Sequence, residues 1–167
     1  MPAPAKVCVY AGDDLARYGF GPGHPFGPDR LHAFRQRLQA EGLERRLRIQ
    51  PPVAAREQDL RRFHSAEYLA RVRAQSASGE GYLDLGDTPA FPGMYEAAGF
   101  VVGSVLDAVG QIMAGECRRA FVPIACLHHA RRDSAAGFCV FNDCGVAIET
   151  LRAVHGLRRV AYVDIDA

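Results

Sequence analysis

The chain has 167 residues, 49% of them hydrophobic and 23% charged, with a formal net charge of +1. This is the composition of one globular domain, and its near-neutral charge provides no basic surface for nucleic acid or an anionic membrane. The five cysteines (Cys8, Cys117, Cys126, Cys139 and Cys144) are odd in number and contain no C-x-x-C pair, which argues against a disulfide framework or zinc knuckle and for a reducing cytoplasm.

Met1–Lys6 lacks the basic and apolar regions of a secretory signal, and no apolar run approaches bilayer-spanning length. Val7-Cys8-Val9-Tyr10 reads as a short buried strand. A turn-rich loop follows from Ala11 to Pro28, and a loop that long in a compact domain is functional or disordered. Asp29 is placed to cap a helix with Leu31, Phe34 and Leu38 on one face, stopped near Gly42. The charged cluster Glu44-Arg45-Arg46-Leu47-Arg48 reads as a solvated face. Ser65 opens a second helix with Tyr68, Leu69 and Val72 as its apolar side. Ser76 to Pro92 reads as loop, and Met94 to Ala114 as a long helix of small residues that packs closely on a sheet. Asn142 or Asp143 caps a further helix over Val146, Ile148 and Leu151, ended by Gly156. Arg159 to Asp166 reads as a strand. Strands alternating with helices predict a single α/β domain with a parallel sheet flanked by helices.

The adjacent pair His128-His129 follows the apolar run Phe121–Leu127 and precedes the loop-like stretch Ala130–Gly137. Neighbouring side chains on a strand face opposite ways, so two adjacent histidines share a pocket only where a strand has ended. On its own the pair reads equally as two satisfied loop histidines. Asp164 and Asp166 lie two apart at the carboxyl end of the last expected strand, where open α/β sheets bind ligands. Such a pair serves as a metal site, a helix cap or a nucleotide ligand. His24, His32, His64 and His155 need no catalytic role, and Cys139 reads as a buried inert thiol.

Leu127-His128-His129-Ala130, Gly137-Phe138-Cys139-Val140-Phe141-Asn142-Asp143 and Val163-Asp164-Ile165-Asp166, in that order, resemble the histone deacetylase family. The likeness is nearest to its bacterial acetoin-utilisation and acetylpolyamine amidohydrolase branches. His24-Pro25-Phe26-Gly27-Pro28-Asp29-Arg30, Phe63–Leu69 and Gly86–Gly93 resemble further family segments. The resemblance implies an arginase/deacetylase-like fold, one catalytic zinc, and hydrolysis of an acetylated amine such as acetyl-lysine or acetylpolyamine. It implies Asp166 as a zinc ligand, His129 as general base and later acid, and His128 as its electrostatic partner. Asp164 would orient His128 and contribute to a monovalent cation site, with potassium as the candidate ion. Gly137 and Phe138 would line the substrate tunnel, Asp87 would hold the substrate at the rim, and Arg30 would sit near an acetate exit channel. Homo-oligomerisation is left open.

Two departures from the family stand out. Ala125-Cys126 occupies positions where the family carries two glycines, which is expected to narrow the inner channel near Arg30. The chain stops at Ala167, before the family's second zinc ligand, so 1–167 is expected to be the N-terminal portion of a single domain, incomplete at its C-terminus. That polypeptide alone is expected neither to deacetylate nor to bind stoichiometric zinc. The alternatives are a binuclear manganese ureohydrolase relative and a non-catalytic fragment that pairs with another chain.

Overall fold

A computed structural model describes residues 7–27 and 29–166. The expectations for Met1–Lys6, for Pro28 in the His24–Arg30 segment and for the chain end at Ala167 fall outside those residues.

Strand β1 (Val7–Tyr10) is the middle of a three-stranded parallel sheet of order β2-β1-β3. Its partners are β2 (Leu47–Gln50), with Val7 opposite Leu47, and β3 (Ala120–Phe121), with Cys8 opposite Ala120. Parallel strands need a crossover between them. The β1–β2 crossover carries α1 (Asp13–Ala16) and α2 (Asp29–Ala40); Gly42, at φ 62°, then ends the helical course before a 3-10 turn at Leu43–Arg46. The β2–β3 crossover carries α3 (Glu57–Leu60), α4 (Ala66–Ser78) and α5 (Met94–Met113). Helix α6 (Asp143–Ala153) follows β3.

The helix starts have local chemical causes. Ser65 Oγ accepts the Tyr68 N–H at 3.2 Å at the start of α4, and Asn142 Oδ1 accepts the Gly145 N–H at 2.7 Å at the start of α6. Asp29 is the first helical residue of α2, where its carboxylate meets the positive end of the helix dipole. Helix α5 packs between α4 and α6 and buries Val101, Val102 and Ala98 in the main core with Tyr10, Leu15 and Phe141.

Five expectations need correction. The cluster at Glu44–Arg48 is not only a solvated face: Leu47 and Arg48 begin β2, whose half-exposed edge position hides the alternation that marks a strand. The loop over residues 11–28 contains the short helix α1, and α4 runs on to Ser78. By length and composition α5, at 20 residues, does reach bilayer-spanning size, and its buried face packs in the core. Arg159–Asp166 forms no strand ladder among the described residues. A strand exists only through pairing with a neighbouring backbone, and here Val163 and Ile165 stand 82% and 93% exposed.

Two features brace the scaffold. At Gly103 in α5 a Cβ would lie 2.1 Å from Val53 O and 2.4 Å from Ala55 N, so the bare backbone admits the 53–55 segment. Ser104 Oγ accepts the Val53 N–H at 3.2 Å and Gly99 O accepts the Ala55 N–H at 3.0 Å beside it. His64 is buried among the rings of Phe63, Tyr68 and Phe141. Its Nε2 accepts the Asn142 N–H at 3.0 Å, which places the ring proton on Nδ1, 3.3 Å from Arg132 O. Burial lowers the His64 pKa from 6.5 to about 4, with the Arg132 carbonyl opposing.

Gly103→Ala is expected to destabilise the chain by about 3 kcal/mol, as overpacking against backbone cannot relax by a rotamer change; urea midpoints at unchanged m-value measure it. His64 also makes stability pH-dependent. Its folded-state pKa lies below the unfolded value, so its contribution is complete above pH 6.5 and is lost as pH falls toward about 4. That loss amounts to about 3 kcal/mol. Denaturation at several pH values should show this slope in the wild type and a flatter one in His64→Gln; equal slopes would remove His64 as the cause.

Candidate active site

The apolar run that ends in the histidine pair leaves regular structure early. After β3 the chain turns, and Cys126 takes φ 78°, a left-handed conformation uncommon for a side-chain-bearing residue. The buried Asp143, first residue of α6, holds this turn: its carboxylate accepts the Leu127 N–H at 2.6 Å and the Cys126 N–H at 3.0 Å. Burial pushes the Asp143 carboxyl above its ordinary range, while those two amides pull the other way. Next to it, Asn142 Nδ2 donates to His128 O at 2.9 Å and to Ala130 O at 2.8 Å. The histidines therefore sit on a pinned turn, and both rings can face one side. Their centroids are 4.2 Å apart with planes at 84°.

Tyr162, Asp164 and Asp166 extend toward the pair from the other side. His128 Nδ1 lies 2.5 Å from Asp164 Oδ2, which also accepts the Tyr162 hydroxyl at 2.5 Å. Asp164 Oδ1 accepts the Asp166 N–H at 3.1 Å. The Tyr162 hydroxyl first, then the Asp166 amide and His128, hold the Asp164 carboxyl below its ordinary range. Both oxygens of Asp164 are thus engaged by N–H and O–H donors. Asp166 Oδ2 faces both rings, 3.4 Å from His128 Nε2 and 3.3 Å from His129 Nε2. One donor atom from each of His128, His129 and Asp166 falls within 4.8 Å of the others. Two imidazoles and a carboxylate are donors that zinc accepts. His128 is the more enclosed ring, its side chain 14% exposed against 51% for His129.

The opposite wall is built on left-handed backbone. Gly137 has φ 54° and Phe138 φ 67°. A Cβ on Gly137 would sit 2.8 Å from His129 Cδ2, so glycine lets the imidazole lie against the chain. Phe138 is held at both of its backbone polar groups: Thr88 Oγ1 accepts its N–H at 3.1 Å, and Tyr18 donates its hydroxyl to the Phe138 carbonyl at 2.6 Å. Thr88 is fully buried and also bonds the Asp84 carboxylate. Asp84 collects the amides of Gly86, Asp87 and Thr88 and so shapes the loop that carries Asp87 to the rim. The neighbouring Asp84 holds the Asp87 carboxyl above its usual range. His24 closes this wall. It accepts the Phe26 N–H at 3.0 Å, lies 3.2 Å from the Asp87 carbonyl, and meets the Phe138 ring at 4.5 Å.

All eight residues singled out from the sequence (Arg30, Asp87, His128, His129, Gly137, Phe138, Asp164 and Asp166) line one cavity of about 680 Å³. Arg30 stacks over Phe26 at 4.4 Å, and Ala125 and Cys126 line the same cavity. Cys139 is buried, its thiol pushed up to about 11 by loss of solvent. Sequence reasoning missed Tyr162, Asp143, Thr88 and Tyr18 as parts of the site. Tyr162 had a signal: it continues the alternation of Asp164 and Asp166. Asp143 was legible only as a helix start, while Thr88 and Tyr18 act across 50 and 120 residues of chain.

Residues 24–167 match the Histone deacetylase domain family. The chain is 38% identical over 145 residues to the Histone deacetylase-like amidohydrolase of Pseudomonas aeruginosa, covering 86% of this chain and 38% of that protein. It is 30% identical over 169 residues to human Histone deacetylase 1, covering 96% of this chain and 35% of that protein. The HDA15 HD domain superposes with a TM-score of 0.80 at 25% identity, covering 89% of this chain and 44% of that one. The chain thus spans little more than a third of the length of these curated relatives. On fold and sequence, the chain belongs to the histone deacetylase family.

Proposed function

We propose that these residues serve a zinc-dependent amidohydrolase that removes acetyl from an acetylated amine, such as acetyl-lysine or an acetylpolyamine. The observation that supports this reading most directly is the single cavity that all eight residues line. Bound zinc would polarise the amide carbonyl and acidify a water, and Asp166 is the residue proposed to hold it. His129, more open and facing Asp166, is placed to take a proton and return it to the leaving amine. Asp164 accepts from His128 Nδ1, which fixes that ring's tautomer and turns its Nε2 into the cavity. Phe138 and Gly137 suit the apolar arm of an acylated amine, with Asp87 at the rim to meet its N–H or a cationic group. Arg30 lines the same cavity as Ala125 and Cys126 and is the residue proposed to meet released acetate.

In an active deacetylase that carries these residues, His129→Ala is expected to lower kcat for an acetyl-lysine reporter by about 10²–10⁴-fold. A comparable rate in the variant, or after chelation of the metal, would overturn the reading. A comparison of acetyl-lysine peptide with acetylpolyamine by kcat/KM then assigns the substrate class.

A catalytic zinc takes three protein ligands. On this reading Asp166 is the ligand while both histidines stay free for proton transfer. The 167-residue polypeptide alone is therefore expected to show no turnover and less than one zinc per chain by equilibrium dialysis. Stoichiometric zinc that is lost in both His128→Ala and His129→Ala would instead make the imidazoles metal ligands, as their convergence with Asp166 permits.

A further inference from the structure

We propose that Cys126, which lines this cavity, and Cys144 at the start of α6 form an oxidisable dithiol, a modification site whose product is a Cys126–Cys144 disulfide. The two residues lie on different segments, the turn before the histidine pair and the start of α6, and the Asp143 carboxylate ties them together. Asp143 Oδ2 accepts the Cys126 N–H at 3.0 Å and lies 3.8 Å from Cys144 Sγ. One carboxylate oxygen thus meets both the Cys126 backbone and the Cys144 sulfur. Cys126 is exposed and opens on the cavity, Cys144 is partly buried, and both are free thiols. This combination gives an oxidant access to one sulfur and keeps the other nearby as a resolving thiol.

The chemistry requires a hydroperoxide as oxidant. The Cys126 sulfur forms an S–O bond as the peroxide O–O bond breaks, and the thiol proton leaves with the alcohol or water. The Cys144 sulfur then displaces the hydroxyl of the sulfenic acid; an S–S bond forms, the S–O bond breaks and water leaves. Cys126 Sγ now lies 3.8 Å from His128 Nδ1. A link to α6 would draw it to the Cys144 side and lock the turn that carries both histidines. A consequence for catalysis rests on the deacetylase reading; the disulfide itself does not.

The test uses the 167-residue chain, hydrogen peroxide as the oxidant, alkylation of the remaining thiols and mass spectrometry. The expected result is the loss of two alkylatable thiols and of two hydrogen atoms from the intact mass. Peptide mapping should recover Cys126 linked to Cys144, and dithiothreitol should release it. Cys126→Gly, which suits the left-handed backbone at that position, and Cys144→Ala should each abolish the link while circular dichroism shows the fold retained. The proposal is overturned by Cys126 reaching sulfinic or sulfonic acid while Cys144 remains alkylatable, by a link involving Cys8, Cys117 or Cys139, or by five thiols that stay reactive. None of these readouts depends on turnover, so a failure here and a failure of the deacetylase reading are separable.

Discussion

One buried carboxylate organises the site. Asp143 stands at the start of α6 and accepts two consecutive amides from the turn that leads into His128 and His129. Without its acceptor the buried Leu127 N–H would be orphaned, at a cost of about 1–3 kcal/mol. The turn in turn fixes where the histidines point. Asn142 adds bonds to the carbonyls on either side of His129, and His64 holds the Asn142 amide from below. Helix α6 is thus less a covering element than the post to which the turn carrying both histidines is tied.

That arrangement separates rigidity from chemistry. The groups that carry strain or bury charge (Cys126, Asp143, Gly137 and Phe138) hold the geometry. The groups proposed to act, His129 and Asp166, remain open toward the cavity. His128 lies between these roles, enclosed and fixed by Asp164 at one nitrogen while the other faces Asp166. Preorganised donors of this kind cost no reorganisation when a substrate arrives.

Much of this was legible in the sequence wherever the cause is local. Ser65 and Asn142 cap the helices they precede, because a side-chain oxygen two or three residues before an orphan amide is a short-range device. The cavity's eight residues were reached through motif order. What the sequence concealed acts at long range or depends on a partner. Strand β2 is a half-exposed edge whose alternation is faint. Arg159–Asp166 has the alternation of a strand, and pattern alone does not supply a neighbouring backbone to pair with. Thr88 and Tyr18 look like ordinary loop and core residues until the fold brings them to the N–H and the carbonyl of one residue, Phe138.

The handedness of Phe138 has a further consequence. A phenyl ring on ordinary backbone takes its direction from packing and can swing with its neighbours. Here the direction is set one step earlier, by a left-handed peptide that the Thr88 hydroxyl and the Tyr18 hydroxyl hold in place. The calibre of the cavity mouth is therefore written in two hydrogen bonds rather than in the bulk of the side chain. Relatives could exchange the ring for another without moving the wall, yet a single lost hydroxyl far away in the chain would change what fits.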